Sequence, residues 1–196
     1  GHETTAIALG YTFYLLGKHP EIAQRVRAEL EGVLGGRRPT HSDVEELELT
    51  TRVVKESMRL YPPVWGIGRE TLADYQIRGQ TLKKGSQIGL FQWIVQRDAR
   101  WYPDPEAFDP DRWLPARSQD LPRFAYFPFG GGPRVCIGNR FAMMEAVLLI
   151  ALIGQRFHLE LVSGEHLEFA PSITLRPKSG MRMRLVAMEP ASRREP

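Results

Sequence analysis

The segment Phe127-Pro-Phe-Gly-Gly-Gly-Pro-Arg-Val-Cys-Ile-Gly138 contains the only cysteine of the chain, Cys136. It directly precedes the most hydrophobic predicted helix, over residues 139–157. A helix N-terminus presents free backbone N–H groups and a partial positive charge, which stabilise a thiolate. Such a thiolate could serve as a nucleophile or as a metal ligand. The alternatives are an inert buried cysteine and a phosphate-binding loop, although this segment lacks the lysine and Ser/Thr of a P-loop.

Upstream of this loop the sequence is mainly helical, and strand patterns are concentrated in two regions. Apolar residues recur every three or four positions, which predicts helices over 3–16, 20–34 and 49–60. Alternation of β-branched and polar residues with intervening glycines predicts short strands over 66–93, and strands are also expected over 158–188. The predicted fold class is therefore mainly α with a smaller β region.

Three further segments are predicted from local signals. Ser42 and Glu45 have the spacing of a capping box and predict a short helix between the second and third helices. Prolines punctuate residues 97–121, so this segment is expected to be irregular, and such stretches tend to be functional. Residues 189–196 are expected to form a frayed tail.

Composition excludes several classes of protein. The net charge of +3 is close to balance, so charge alone does not favour nucleic-acid binding. One cysteine excludes an internal disulfide framework and an all-cysteine zinc or iron–sulfur site. The five histidines are scattered without the spacing of a zinc site. The longest wholly apolar run, over 146–153, is too short to cross a bilayer.

Haem would satisfy the requirements of the cysteine loop, because its iron accepts a thiolate and its propionates accept an arginine. The pattern Phe129-x-x-Gly132-x-Arg134-x-Cys136-x-Gly138 resembles the haem-binding signature of the cytochrome P450 superfamily. The resemblance implies that Cys136 is the axial ligand of haem b. The implied cofactor-binding residues around it are Phe129, Gly130, Gly132, Arg134 and Gly138.

Glu56 and Arg59 lie three residues apart, so they share one face of the third predicted helix. Alone, this spacing is typical of a solvated surface pair that contributes little to stability. Here it resembles the Glu-x-x-Arg pair of the superfamily, and the segment around Arg112 resembles its arginine-bearing partner. Trp113 stands where the family more often has phenylalanine. The resemblance implies a structural role for Glu56, Arg59 and Arg112, which would lock the irregular segment beneath the haem.

The chain opens with Gly-His-Glu-Thr-Thr and runs directly into a helical pattern, without an initiator methionine. We therefore expect residues 1–196 to be a single partial domain, the C-terminal part of a longer protein that is cut inside a helix. In isolation this opening could be an ordinary helical turn. Together with the downstream motifs it resembles the oxygen-activation motif of the family's distal helix. That resemblance implies catalytic roles for Thr4, as a hydroxyl near bound dioxygen, and Glu3, as the acid of a proton relay.

The family resemblance also implies that Arg69 is a second propionate partner, the alternative being a surface arginine on a strand. Val64, Trp65, Ile67 and Ile173 fall in regions that line the substrate pocket of the family. For any single one of these four residues, plain core packing is the better explanation.

The resemblance implies the C-terminal part of the cytochrome P450 fold and a parent haem-thiolate monooxygenase. Such an enzyme activates dioxygen and inserts one oxygen atom into a hydrophobic small molecule. Its electrons would come from a redox protein such as a ferredoxin, flavodoxin or flavin reductase. The alternatives are peroxygenase, isomerase or dehydratase chemistry at the same haem, a non-enzymatic haem-binding module, and an inactive fragment. A bacterial cytoplasmic location is favoured, with a membrane anchor left open.

Overall fold

The computed structural model describes residues 1–162 and 166–188 of the chain. Its helices are α1 (His2–Lys18), α2 (Pro20–Leu34), α3 (Glu48–Leu60), α4 (Gln92–Val95), α5 (Pro115–Ser118) and α6 (Asn139–Gly154). The four long helices predicted from the sequence are confirmed. α6 ends three residues earlier than predicted. α2 ends at Leu34, and its C-cap Gly35 adopts the left-handed conformation that favours glycine. No helix in the described part of the chain is both long and apolar enough to span a membrane.

The four long helices enclose one main hydrophobic core. Its most deeply buried members come from α2, α3 and α6 and the turn before α3, and include Leu30, Leu47, Val53, Val147 and Ala151. α3 has the strongest separation of apolar and polar faces, and its apolar face packs against α1 and α6. This packing places the N-terminus of α1, the middle of α3 and the N-terminal half of α6 around a common space.

Within residues 1–162 and 166–188, eight short strands form four separate antiparallel pairs. The pairs are β1 (Ile67–Glu70) with β4 (Gln87–Leu90), β2 (Tyr75–Ile77) with β3 (Gln80–Leu82), β5 (Phe157–Leu161) with β8 (Met183–Ala187), and β6 (Phe169–Pro171) with β7 (Leu175–Pro177). The mainly helical class with a smaller β region is therefore confirmed. In the first pair, Ile67 lies opposite Leu90 and Arg69 opposite Ile88.

The predicted capping box at Ser42 and Glu45 is wrong by two positions. A 3₁₀ turn spans His41–Glu45, its N-cap is Thr40, and the box is closed by Asp43. The Asp43 carboxylate accepts a hydrogen bond from the Thr40 backbone N–H at 2.6 Å and also pairs with Arg37. These two contacts hold Asp43 as the residue that closes the capping box. The box therefore begins at Thr40 and not at Ser42.

The segment 97–121 is mostly turns and bends, as predicted, but two short helical pieces interrupt it. These are a 3₁₀ turn over Pro110–Trp113 and α5. In the 3₁₀ turn the Asp109 carboxylate accepts the Asp111 N–H at 3.0 Å, and Pro110 occupies the first position, where no N–H is needed. The predicted tail over 189–196 lies outside the described residues.

Candidate functional site

The cysteine loop is held closed by backbone hydrogen bonds. The Cys136 N–H donates to the Phe129 carbonyl at 2.9 Å, and the Gly130 N–H donates to the Phe127 carbonyl at 2.9 Å. Gly130 and Gly132 have φ values of +74° and +66°, which other residues adopt only with strain. The closed loop presents Cys136 as an exposed free thiol three residues before α6 begins.

The thiol faces a cavity of about 570 Å³. The walls come from the N-terminus of α1, from α3, from the segment around β1, from the start of α4, and from the cysteine loop with α6. The site residues predicted from the sequence that line this cavity are Thr4, Val64, Ile67, Arg69, Phe129, Gly130, Arg134, Cys136 and Gly138. Residues distant in sequence therefore meet at one apolar space, with two arginines and one thiol in its walls.

Of the predicted catalytic, cofactor-binding and substrate-pocket residues, four lie outside this lining. Trp65 turns away, because its indole N–H donates to the Ser172 carbonyl at 2.8 Å and its ring stacks on Phe91. Ile173 is 87% exposed on the loop between β6 and β7. Gly132 lies in the 3₁₀ turn of the cysteine loop. Of the four residues predicted to line a substrate pocket, Val64 and Ile67 therefore line this cavity, and Trp65 and Ile173 do not.

Glu3 is the fourth predicted residue outside the lining. One carboxylate oxygen accepts hydrogen bonds from the Thr174 hydroxyl at 2.7 Å and from Arg176 Nε at 2.9 Å. The Thr174 hydrogen bond and then the Arg176 hydrogen bond lower the pKa of this carboxyl below its ordinary value. The carboxylate is therefore held against the β6–β7 hairpin, while its neighbour Thr4 faces the cavity.

Glu56 and Arg59, predicted as a structural pair, belong to a buried network of hydrogen bonds. Glu56 and Arg59 are both fully buried, and both Glu56 oxygens accept from Arg59 at 2.9 Å. Arg112 Nε donates to Glu56 at 3.3 Å. Arg59 also donates to the Pro105 and Ala107 carbonyls at 2.7 and 3.0 Å. The three predicted residues therefore join α3 to the irregular segment.

Trp113 is a member of this network that sequence reasoning did not assign to it. Its indole N–H donates to the Glu56 carboxylate at 3.0 Å, which phenylalanine could not do. The unusual residue type at this position was the available signal, since a buried tryptophan N–H usually finds an acceptor.

The sequence matches the cytochrome P450 family over residues 1–182. The chain belongs to the cytochrome P450 family. It is 44% identical over 181 residues to cytochrome P450 132 of Mycobacterium tuberculosis, which covers 92% of the chain and 39% of that protein. It is 43% identical over 164 residues to cyclooctat-9-en-7-ol 5-monooxygenase of Streptomyces melanosporofaciens, covering 84% of the chain and 36% of that protein.

The same family appears among solved structures. The crystal structure of the cytochrome P450DA heme domain superposes with a TM-score of 0.91 and 34% identity, over 98% of this chain and 43% of that one. This cytochrome P450 chain thus spans about two fifths of the length of its relatives. The predicted family and the fold class, the C-terminal part of the cytochrome P450 fold, are confirmed. Membership of this family implies a haem cofactor.

The side chains around the cavity fit haem. Arg69 makes a single hydrogen bond within the described residues, to the Gly68 carbonyl at 2.8 Å, and Arg134 has no side-chain hydrogen bond or ion pair there. Two guanidinium groups without carboxylate partners suit the two propionates. A Cβ at position 138 would lie 4.0 Å from the Cys136 sulfur, so glycine keeps the space beside the thiol clear.

Proposed function

We propose that this chain is the C-terminal part of a haem-thiolate monooxygenase that uses dioxygen to insert one oxygen atom into a hydrophobic small molecule. The observation that carries the proposal is the convergence of the Cys136 thiol, the Arg69 and Arg134 guanidinium groups and the Thr4 side chain on one apolar cavity. A relative named as a monooxygenase of cyclooctat-9-en-7-ol supports both the reaction class and an apolar substrate.

In this proposal each side chain has one task toward haem b. Cys136 ligates the iron through its thiolate, and Arg69 and Arg134 pair with the propionates. When bound, the haem supplies the chemistry of dioxygen activation, which a thiolate ligand promotes by electron donation. The apolar side chains of Val64 and Ile67 exclude water and contact the substrate.

In this proposal Thr4 and Glu3 have different roles in the delivery of protons. The Thr4 hydroxyl makes only a long hydrogen bond of 3.4 Å to the Gly1 carbonyl, so it is able to turn and donate into the cavity. The Glu3 carboxylate stays ionised beside Arg176 and lies outside the cavity lining. An ionised carboxylate has no proton of its own to give, so we propose that Glu3 orients the water that carries protons from solvent to Thr4.

Electrons are proposed to arrive from a redox protein that docks on the outer side of the cysteine loop. Arg123 precedes this loop, Arg140 follows it, and both side chains are exposed. Their positive charge would steer an acidic partner such as a ferredoxin, a flavodoxin or a flavin reductase.

The reaction class is tested with isotopically labelled dioxygen. The full-length protein, supplied with electrons and a panel of hydrophobic small molecules, should yield product that carries one labelled oxygen atom. Product formed only with peroxide, or rearranged product without added oxygen, would instead assign the peroxygenase or isomerase alternative.

A further inference from the structure

Gln96, at the C-cap of α4, binds two segments of the chain at once through its side-chain amide, and the roles assigned so far leave it unused. The side chain is fully buried. Its Nε2 donates hydrogen bonds to the Met58 and Arg59 carbonyls at 3.0 and 3.1 Å. Its Oε1 accepts a hydrogen bond from the Phe127 N–H at 3.0 Å. One amide therefore joins the C-terminal turn of α3 to the first residue of the cysteine loop.

The sequence explains why the end of α3 needs a side-chain donor. In a continuing helix the carbonyls of Met58 and Arg59 would accept N–H groups from residues 62 and 63. Both of those residues are proline, which has no backbone N–H. Met58 and Arg59 are buried, so water is a poor substitute for the missing donors. The two amide hydrogens of Gln96 take the places of the two missing N–H groups.

The amide oxygen acts on the other side, at the turn that supports Cys136. The Phe127 carbonyl accepts the Gly130 N–H at 2.9 Å, which closes a four-residue turn. Within this turn, the Phe129 carbonyl accepts the Cys136 N–H at 2.9 Å. The amide contact therefore holds the residue at which the turn starts, and the turn holds the backbone of the cysteine.

We propose that Gln96 is a positioning residue for the Cys136 thiolate, because it fixes the start of the turn to which the cysteine backbone is bonded. The inference rests on the proposed function, since it requires the thiolate to ligate haem iron. Groups outside the ligand shell orient a metal ligand, and their loss typically weakens metal binding or activity by about 10- to 100-fold. Without the amide, the Phe127 N–H loses its acceptor, the turn is less restrained, and the sulfur leaves the iron more readily.

The test uses Gln96→Met in the full-length protein with haem bound, because methionine has the same length and no strong hydrogen-bonding group. Amide hydrogen exchange over residues 127–136 should become about tenfold faster, since a hydrogen bond that restrains the turn is lost. The second readout is the red-shifted Soret band of the reduced carbon monoxide complex, followed in urea below the unfolding transition of every variant. Its conversion to an unshifted band should also be about tenfold faster.

Glu29→Met is the matched control, because it also removes three side-chain hydrogen bonds, all of them at the opposite end of α3. The Glu29 carboxylate accepts the Leu49 and Thr50 N–H groups at 2.6 and 2.8 Å, and the Thr50 hydroxyl at 2.7 Å. The control should lower the urea midpoint of the circular dichroism signal. It should leave the exchange of residues 127–136 and the band conversion at the rates of the unchanged protein.

Gln96→Glu separates the two ends of the amide. Glutamate keeps an oxygen that accepts the Phe127 N–H, but its carboxylate cannot donate to the Met58 and Arg59 carbonyls. This variant should therefore lower the urea midpoint and still keep slow exchange over residues 127–136. A role that is only structural would make exchange in the loop follow the loss of stability in both Gln96 variants.

The outcomes separate this inference from the proposed function. Loop exchange and band conversion in Gln96→Met that match those in Glu29→Met overturn the inference and leave thiolate ligation intact. If Gln96→Met does not fold, Gln96→Glu decides: fast exchange over residues 127–136 overturns the inference, and slow exchange there with a lowered urea midpoint supports it. Absence of the red-shifted band in the unchanged full-length protein overturns the proposed function and, with it, this inference.

Discussion

Glu56→Gln is the substitution that the buried network makes most informative. The Glu56 carboxylate accepts five hydrogen bonds, two from Arg59 and one each from Arg112, Trp113 and the Asp109 N–H. Glutamine leaves one acceptor oxygen, turns the other atom into a donor, and removes the only negative charge that this set of contacts places between two buried guanidinium groups. Breaking a buried ion pair by removing one partner costs about 3–5 kcal/mol, and this should be the loss in the free energy of unfolding.

The measurement is urea unfolding of the full-length protein, followed by circular dichroism and extrapolated to zero denaturant. Glu48→Gln is the control on the same helix, because its carboxylate is 77% exposed and lies 3.6 Å from Arg52. That exposed pair should contribute at most about 0.5 kcal/mol. If Glu56→Gln lowers the free energy of unfolding by less than about 1 kcal/mol, or by no more than the control, the network does not hold the irregular segment in place.

Three further predictions concern acid stability, proton delivery and the propionate contact. Hydrogen bonds from Arg37 and then Thr40 hold the pKa of Asp43 well below its usual value of 3.8. The contribution of this carboxylate to folding stability is therefore fully present above pH 3.8 and is lost as the pH falls below that value. Asp43→Asn should therefore destabilise the protein at pH 7 and flatten the acid limb of a stability–pH curve, whereas an unchanged acid limb would contradict the assignment. Thr4→Ala should leave the rate of electron consumption unchanged but lower the fraction of those electrons that appears in oxygenated product by about tenfold or more. The remainder should be released as peroxide, and an unchanged ratio of product to peroxide would count against the proton relay. Arg69→Met should accelerate haem transfer to apomyoglobin about tenfold, and an unaltered transfer rate would remove Arg69 from the propionate site.

The cysteine loop and the long helices could be predicted because local chemistry dictates them. Gly130 and Gly132 are required by positive φ values within the segment itself, and helix periodicity needs only near neighbours. The position of Glu56 in a buried network could be anticipated only through family resemblance, since its spacing to Arg59 alone is typical of a surface pair.

What the sequence did not reveal depends on contacts between distant segments. The Glu3 carboxylate is oriented by Arg176, which lies on a different element 173 positions along the chain. The rotation of Trp65 away from the cavity depends on the Ser172 carbonyl. Gln92 and Gln96 are both buried glutamines and lie one helical turn apart. Only the packing around them leaves the Gln92 amide without a partner among the described residues while the Gln96 amide is fully paired.

The axial ligation of haem iron by Cys136 is the claim on which the proposed function depends. The full-length protein, reduced and exposed to carbon monoxide, should give the strongly red-shifted Soret band typical of thiolate ligation. Cys136→His should retain haem and lose that shift, because imidazole replaces the thiolate. Absence of the shifted band in the unchanged protein, or its persistence in Cys136→His, would contradict the assignment of Cys136 as the iron ligand.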